Sequence, residues 1–218
     1  MEGRFDAGNG TSVSYVLQAP DPSIALLVLA HGAGAGMGHL SMSAIAAALE
    51  RRGIATLRFN FPYMEAGNKR VDSRPVATAA IAAVVQLARD LRPTLPLFLG
   101  GHSFGGRMAS HAVLEHDLAA VRGLVFCSFP LHLADKPDTA RAAHLPDIRQ
   151  PLLFVSGTRD VMAEPALLEG VVDKLGAALV WLDTADHGYK VQKRTRKRTV
   201  SVFDELADAV EPFVRRLC

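Results

Sequence analysis

The sequence predicts an α/β fold, a mostly parallel sheet covered by helices on both faces, from two observations. Short unbroken apolar runs recur along the chain. Between most of them lie longer segments whose apolar residues fall at three- and four-residue steps. A crossover joining parallel strands must bury its apolar stripe against the sheet, so such an alternation covers both faces. The 218 residues are 49% hydrophobic and 21% charged, which is the composition of a chain that folds around a core. The length suits one domain over residues 1–218.

Taken in order, Thr11 to Val16 alternates polar and apolar residues and reads as an antiparallel edge strand. Ile24 to Ala30 is apolar throughout, as a strand buried on two faces must be. The pattern of a helix follows over Ser41 to Arg52, then a strand over Ile54 to Phe59, interrupted only by Arg58. A helix over Pro75 to Leu91 leads to a strand over Pro96 to Leu99, and Gly105 to Glu115 again has helical period. Leu124 to Cys127 and Leu152 to Val155 read as strands, Glu164 to Leu175 as a helix, and Ala178 to Leu182 as a further strand. Val200, Phe203, Leu206, Val210, Phe213, Val214 and Leu217 then mark an amphipathic helix that closes the fold. The connection from Ser128 to Gln150, about 20 residues, is too short for an independently folded lid.

Bulk properties exclude several functions. A net charge of +2 gives no general attraction to nucleic acid or to an anionic membrane. Two cysteines cannot build a disulfide framework, and Cys127 lies in an apolar run while Cys218 is the final residue, which points to a reducing compartment. The start is polar, and the longest apolar stretches, Ile24 to Ala30 and Val76 to Val85, fall short of the roughly 18 residues a membrane helix needs. A cytoplasmic, unanchored protein is expected.

In sheets of this kind ligands bind beyond the carboxyl ends of the strands. After the strand at Pro96 to Leu99 comes Gly100-Gly101-His102-Ser103-Phe104-Gly105-Gly106, a Gly-x-Ser-x-Gly between a strand and a helix. There a serine can occupy a strained turn while Gly101 and Gly105 let the two backbones approach, with the Phe104 N–H facing a developing oxyanion. A phosphate-binding turn or a plain tight loop is the alternative. A Walker loop is excluded, because Gly106 is followed by Arg107-Met108 rather than Lys and Ser or Thr. His31 to Gly38, rich in glycine, likewise misses the dinucleotide spacing. It suits a second oxyanion donor, Ala33 first and Gly34 next, or else a plain surface turn.

A serine nucleophile needs a base, and the base an orienting acid. Asp160 follows the strand ending at Val155, and His187 follows the strand ending at Leu182. The order Ser103, Asp160, His187 suits the chemistry. Asp183 and Asp186 compete for the acid role but share the short loop of His187. His111 and His116 read as surface or packing residues in the helix after Ser103, and His31 and His102 as supports of local geometry. The His-x-x-x-Glu-His spacing misses the inverted zinc motif, so no metal and no cofactor is expected. Asn60, Tyr63 and Met64 follow a strand end and are candidates for the substrate rim, although a turn or packing role would also suit Asn60 and Tyr63. Lys190, Lys193, Arg194, Arg196, Lys197 and Arg198 form a basic segment. Four of them, Lys190, Lys193, Arg194 and Lys197, would share a helix face, as a solvated surface or as a device attracting an anionic substrate or nucleic-acid backbone.

The elbow, Gly157-Thr158-Arg159-Asp160, Asp186-His187-Gly188, and Arg58-Phe59-Asn60-Phe61-Pro62-Tyr63 together resemble lid-less α/β-hydrolases of the dienelactone-hydrolase-like type. More narrowly, they resemble the branch with testis-expressed hydrolase-like proteins and a subunit of the non-specific-lethal acetyltransferase complex. The resemblance runs from Ile24 to Leu217 and implies an α/β-hydrolase fold. Ser103 stands where dienelactone hydrolases carry cysteine, so their substrate does not transfer. The expected function is hydrolysis of a small ester or thioester by Ser103, His187 and Asp160, with the Phe104 and Ala33 amides as oxyanion hole. The alternative is a hydrolase-fold binding or scaffold protein with little turnover.

Overall fold

A computed structural model describes residues 1–8 and 10–218. Eight strands form one sheet: β1 (Glu2–Asp6), β2 (Ser12–Gln18), β3 (Ala25–Ala30), β4 (Ile54–Phe59), β5 (Leu97–His102), β6 (Val121–Cys127), β7 (Leu152–Gly157) and β8 (Ala178–Leu182), in the order β1-β2-β4-β3-β5-β6-β7-β8. β2 runs antiparallel to both of its neighbours, β1 and β4, and the remaining pairs of the sheet are parallel. The helices are α1 (Leu40–Glu50), α2 (Pro62–Glu65), α3 (Arg74–Leu91), α4 (Phe104–Glu115), α5 (Pro165–Leu175) and α6 (Val202–Leu217).

The side-chain alternation of the strands sorts the core into two layers. Along β3, Leu26, Val28 and Ala30 join α3, α4 and α5 in one apolar cluster, whereas Ala25, Leu27 and Leu29 join α1 and α6 in the other. All six are buried. Burying one such leucine is worth roughly 1.5–3 kcal/mol, which is why this central strand must be apolar at every position. The helix ends are set by local hydrogen bonds. Glu164 accepts the N–H of Leu167 and Ser201 that of Phe203 at the starts of α5 and α6, and Gly176 adopts φ 59° at the end of α5.

Two expectations are corrected, and one strand is added. β2 is antiparallel but lies inside the sheet, because β1 pairs outside it, with Glu2 opposite Val16. β1 escapes notice because the strand Glu-Gly-Arg-Phe-Asp buries none of its residues fully and presents little apolar pattern. Residues 190–198 form no helix; they run through turns and extended chain, and Arg196 turns inward to pair with Glu205 at 2.6 Å. The shared helix face proposed for Lys190, Lys193, Arg194 and Lys197 therefore does not exist. Short-range periodicity cannot register a residue pulled out of its pattern by a partner on another element.

The connection between β6 and β7 contains only two short 3₁₀ turns, Ala140–Ala142 and Leu145–Asp147. It builds no lid domain.

Candidate active site

The site forms where β3, β5, β7 and β8 release the chain at their carboxyl ends. Ser103 sits between β5 and α4 at φ 51°, ψ −116°, a backbone position costly for a residue with a Cβ. Glycine neighbours make the turn possible. A Cβ on Gly101 would stand 2.5 Å from the Ala30 carbonyl oxygen and 2.8 Å from the Gly105 carbonyl carbon. A Cβ on Gly105 would overlap the backbones of Ala30 and His31.

Asp160 lies in the turn after β7, 4% exposed, and accepts the Met162 N–H at 2.8 Å. Its two carboxylate oxygens lie 2.9 and 2.8 Å from His187 Nδ1. The Nδ1–H donates to that carboxylate, which leaves Nε2 free to accept, and Ser103 Oγ is 2.8 Å from it. Of the rival acids, Asp186 is otherwise engaged, its side chain accepting the N–H groups of Gly188 and Lys190. Asp160 is the carboxylate that His187 meets.

His187 and its loop are held by side chains. The His102 Nε2–H donates to the His187 carbonyl oxygen at 2.8 Å, and burial pushes the His102 pKa down to about 4. Tyr189, two residues after His187, donates its hydroxyl to the Val155 carbonyl oxygen at 3.1 Å beneath the site. Burial drives its phenol well above the usual range and pushes the neighbouring Cys127 thiol up to about 12, so both stay neutral.

Opposite the elbow, the loop after β3 brings the Ala33 backbone to the surface. Among the described residues neither the Ala33 nor the Phe104 N–H meets a backbone acceptor. The loop is braced from behind. The Tyr63 hydroxyl lies 2.8 Å from the Ala33 carbonyl oxygen and 3.2 Å from that of Gly32. Burial, with Asp72 nearby, pushes the Tyr63 pKa up to about 12. Asn60 accepts the Met37 N–H at 3.0 Å and donates to Glu65 at 2.9 Å. Burial works to raise the Glu65 pKa, but hydrogen bonds from Asn60, Ser14 and Arg4 together hold it at about 2. His31, its pKa lowered to about 4 by burial against its Gly32 hydrogen bond, accepts the Phe61 N–H at 3.0 Å. Asn60 and Tyr63 thus commit their polar atoms to the loop that carries Ala33. Met64 is half-buried beside Gly36.

Ser103, His187 and Asp160 come together in hydrogen-bonding order; Phe104 opens α4 directly after the serine, and Ala33 lies on the loop after β3. The supports are less legible in sequence. The letter before the nucleophile hinted at His102, whereas the inward turn of Arg196 and the anchor at Tyr189 left no signal in spacing or composition. No group of three or more His, Cys, Asp or Glu side chains suited to a metal occurs among the described residues. No helix among them is long and apolar enough to cross a membrane.

Comparison with known proteins agrees with this architecture. The sequence profile of a family described as an alpha/beta hydrolase domain matches residues 23–215. Among solved structures, dienelactone hydrolase from Anabaena variabilis superposes with a TM-score of 0.78 at 18% identity, covering 100% of this chain and 97% of that one. Est1E from Butyrivibrio proteoclasticus, in its complex with ferulic acid, gives 0.76 at 18% identity, with 99% and 98% covered. XC6422 from Xanthomonas campestris, described as a serine hydrolase without a lid, gives 0.71 at 22% identity, with 99% and 94% covered. At such identities the likeness is one of fold.

Proposed function

We propose that this chain, which belongs to the α/β-hydrolase family, is a serine hydrolase that cleaves a small ester or thioester. The observation that carries the reading is the hydrogen-bonded succession from Ser103 Oγ through His187, 2.8 Å from it, to Asp160, on a serine with φ 51°. A protein that only binds partners has no physical need of a strained serine facing an unprotonated imidazole nitrogen. The likeness to XC6422, a serine hydrolase without a lid, and to Est1E, seen with ferulic acid, is compatible with ester chemistry.

In this mechanism Ser103 Oγ attacks the carbonyl carbon as its proton passes to His187 Nε2. Asp160 accepts the Nδ1–H throughout and stabilises the imidazolium. The carbonyl oxygen, now negative, is held by the Phe104 and Ala33 N–H groups. Collapse breaks the bond to the alcohol or thiol, which leaves with the proton from Nε2. Water then attacks the acyl-serine, giving its proton to His187, and the carboxylic acid departs as Oγ is reprotonated. Asn60, Tyr63 and Met64 border the substrate, the first two chiefly by holding the Ala33 loop. The acyl substrate is the expected partner, with no cofactor, nucleic acid or membrane required, in a single-domain cytoplasmic protein. The narrower likeness to testis-expressed hydrolase-like proteins and the non-specific-lethal complex subunit rests on the elbow and loop motifs.

The test is fluorophosphonate labelling alongside p-nitrophenyl ester turnover. Wild type should label at one site, and Ser103→Ala should lose labelling and at least about a thousandfold of turnover while melting within a few degrees of wild type. Undiminished labelling in Ser103→Ala overturns the assignment of the nucleophile. A wild-type protein that neither labels nor turns over esters favours the scaffold alternative.

A further inference from the structure

The helix that begins at the nucleophile carries a second polar cluster that the triad does not use. Arg107 lies four residues after Ser103 and His111 four after Arg107, so they follow one another along one face of α4. The His111 ring stacks on His144, with centroids 3.8 Å apart and planes at 15°. His144 Nε2 is 2.7 Å from Ser110 Oγ, which docks the β6–β7 connection onto α4. That connection also brings Arg141, which donates to the His132 carbonyl oxygen at 3.2 Å. Arg74, at the start of α3, pairs with Glu115 at the other end of α4 at 2.9 Å.

The cluster is short of anions. Glu115 is the carboxylate that faces it, and Arg74 already occupies one of its oxygens while the Thr78 hydroxyl donates to the other at 2.9 Å. The Arg107 guanidinium is half-buried and meets no acceptor among the described residues, and its Nε–H is sealed from solvent. Burial, then the charges of Arg141 and Arg74, lower its pKa, so the three cations crowd one another. The histidines do not relieve this. Burial, Arg107 and Arg74 lower His111 against the pull of Glu115, and burial, His111, Arg107 and Arg74 lower His144 to about 4, leaving both rings neutral near pH 7. An unpaired, half-buried guanidinium costs free energy that an incoming oxyanion can return, because its two terminal NH2 groups match a carboxylate or phosphate with two parallel hydrogen bonds.

We propose that Arg107, flanked by Arg141 and Arg74, forms an anion subsite for the carboxylate or phosphate end of the acyl substrate attacked by Ser103. One helical turn, about 5.4 Å, separates the two positions along α4, which a chain of roughly four or five carbons bridges. The subsite deepens the hydrolase reading and rests on it for its place in turnover. It gives the enzyme a preference for esters whose acyl group ends in a negative charge.

The experiment compares mono-p-nitrophenyl glutarate with p-nitrophenyl valerate, which differ chiefly in the terminal charge. Wild type should favour the charged ester by about tenfold or more in kcat/KM, and 0.5 M salt should erode the preference. In Arg107→Met the preference ratio should fall by about tenfold, chiefly through KM for the charged ester, with Arg107→Lys intermediate and Arg141→Met a smaller step in the same direction. A ratio that stays the same in Arg107→Met and Arg141→Met, both verified as folded by thermal melting, overturns the subsite. A separate arm titrates glutarate and inorganic phosphate into Ser103→Ala by calorimetry and distinguishes carboxylate from phosphate. Binding of either that is lost in Ser103→Ala/Arg107→Met supports the subsite even if no ester is hydrolysed, whereas binding of neither counts against it. Failure of the triad shows instead as absent fluorophosphonate labelling.

Discussion

Ser103 and His187 are held by different physical means. At the elbow, β5 and α4 approach until backbone touches backbone: Gly101 and Gly105 have no room for a Cβ against Ala30 and His31. After β8, the loop from 184 to 198 is held by polar side chains, through His102 to the His187 carbonyl oxygen, Tyr189 to Val155, and Arg196 to Asp183 and Glu205. Steric crowding has no protonation state and acts over tenths of an ångström. Buried hydrogen bonds depend on charge and on both partners being present. The serine should therefore be fixed across pH, while the position of the imidazole should respond to it.

The strongest way to break the comparison is to add one methyl group at the elbow. Gly105→Ala drives a Cβ into two carbonyl groups that belong to β3 and its loop, and neither can move without disturbing the central strand. The expected result is loss of soluble folded protein, or destabilisation above about 4 kcal/mol, read by expression and thermal melting. A Gly105→Ala protein melting near wild type would show that the crowding is not what fixes the turn.

The corresponding cut in the base loop is Arg196→Ala. The Arg196–Glu205 pair is 2.6 Å long, and its side chains are only 5% and 6% exposed. Removing the cation leaves the buried Glu205 carboxylate facing only the exposed Arg198, 3.7 Å away, at a cost of about 3 kcal/mol by urea denaturation. Lys193→Ala, on an exposed residue of the same segment, should change stability by less than about 0.5 kcal/mol. Equal effects from the two would mean that the inward turn of Arg196 does not anchor the loop.

The smallest of the three effects sharpens the contrast through pH. His102 has a folded pKa of about 4 against an ordinary value of 6.5. Between those values the unfolded chain binds a proton that the native protein refuses, so stability declines as pH falls from 6.5 toward 4. His31, also lowered to about 4, adds to the decline. Urea midpoints measured from about pH 7.5 to about pH 4.5 should drop less steeply in His102→Gln than in wild type. The glutamine should also lower turnover by loosening the loop that carries His187. Parallel midpoint curves for the two proteins would remove His102 as the source.

Much of this arrangement was readable before any coordinates. The α/β architecture followed from apolar runs that match β3 through β8, because a strand buried on both faces leaves an unbroken signal. The positions of Ser103, Asp160 and His187 stood out because each follows such a run, although their meeting at 2.8 Å is a property of the fold alone. What stayed hidden depends on partners far along the chain. Glu2–Asp6 acquires its strand by pairing with β2 rather than by burying side chains. Arg196 sits among five other basic residues, and nothing in that run distinguishes the side chain that finds Glu205 nine residues later. Tyr63 looked suited to the rim, yet its hydroxyl turns toward the backbone of Gly32 and Ala33.

The bare connection between β6 and β7, with its two short 3₁₀ turns, has a consequence for product choice. An acyl group held on Ser103, a half-buried residue, would stand within reach of water with no lid domain over it to concentrate a second alcohol. Deacylation would therefore run toward the free acid rather than toward transfer onto another hydroxyl. Discrimination among substrates would fall to single side chains around the serine, Arg107 among them, rather than to an enclosing domain.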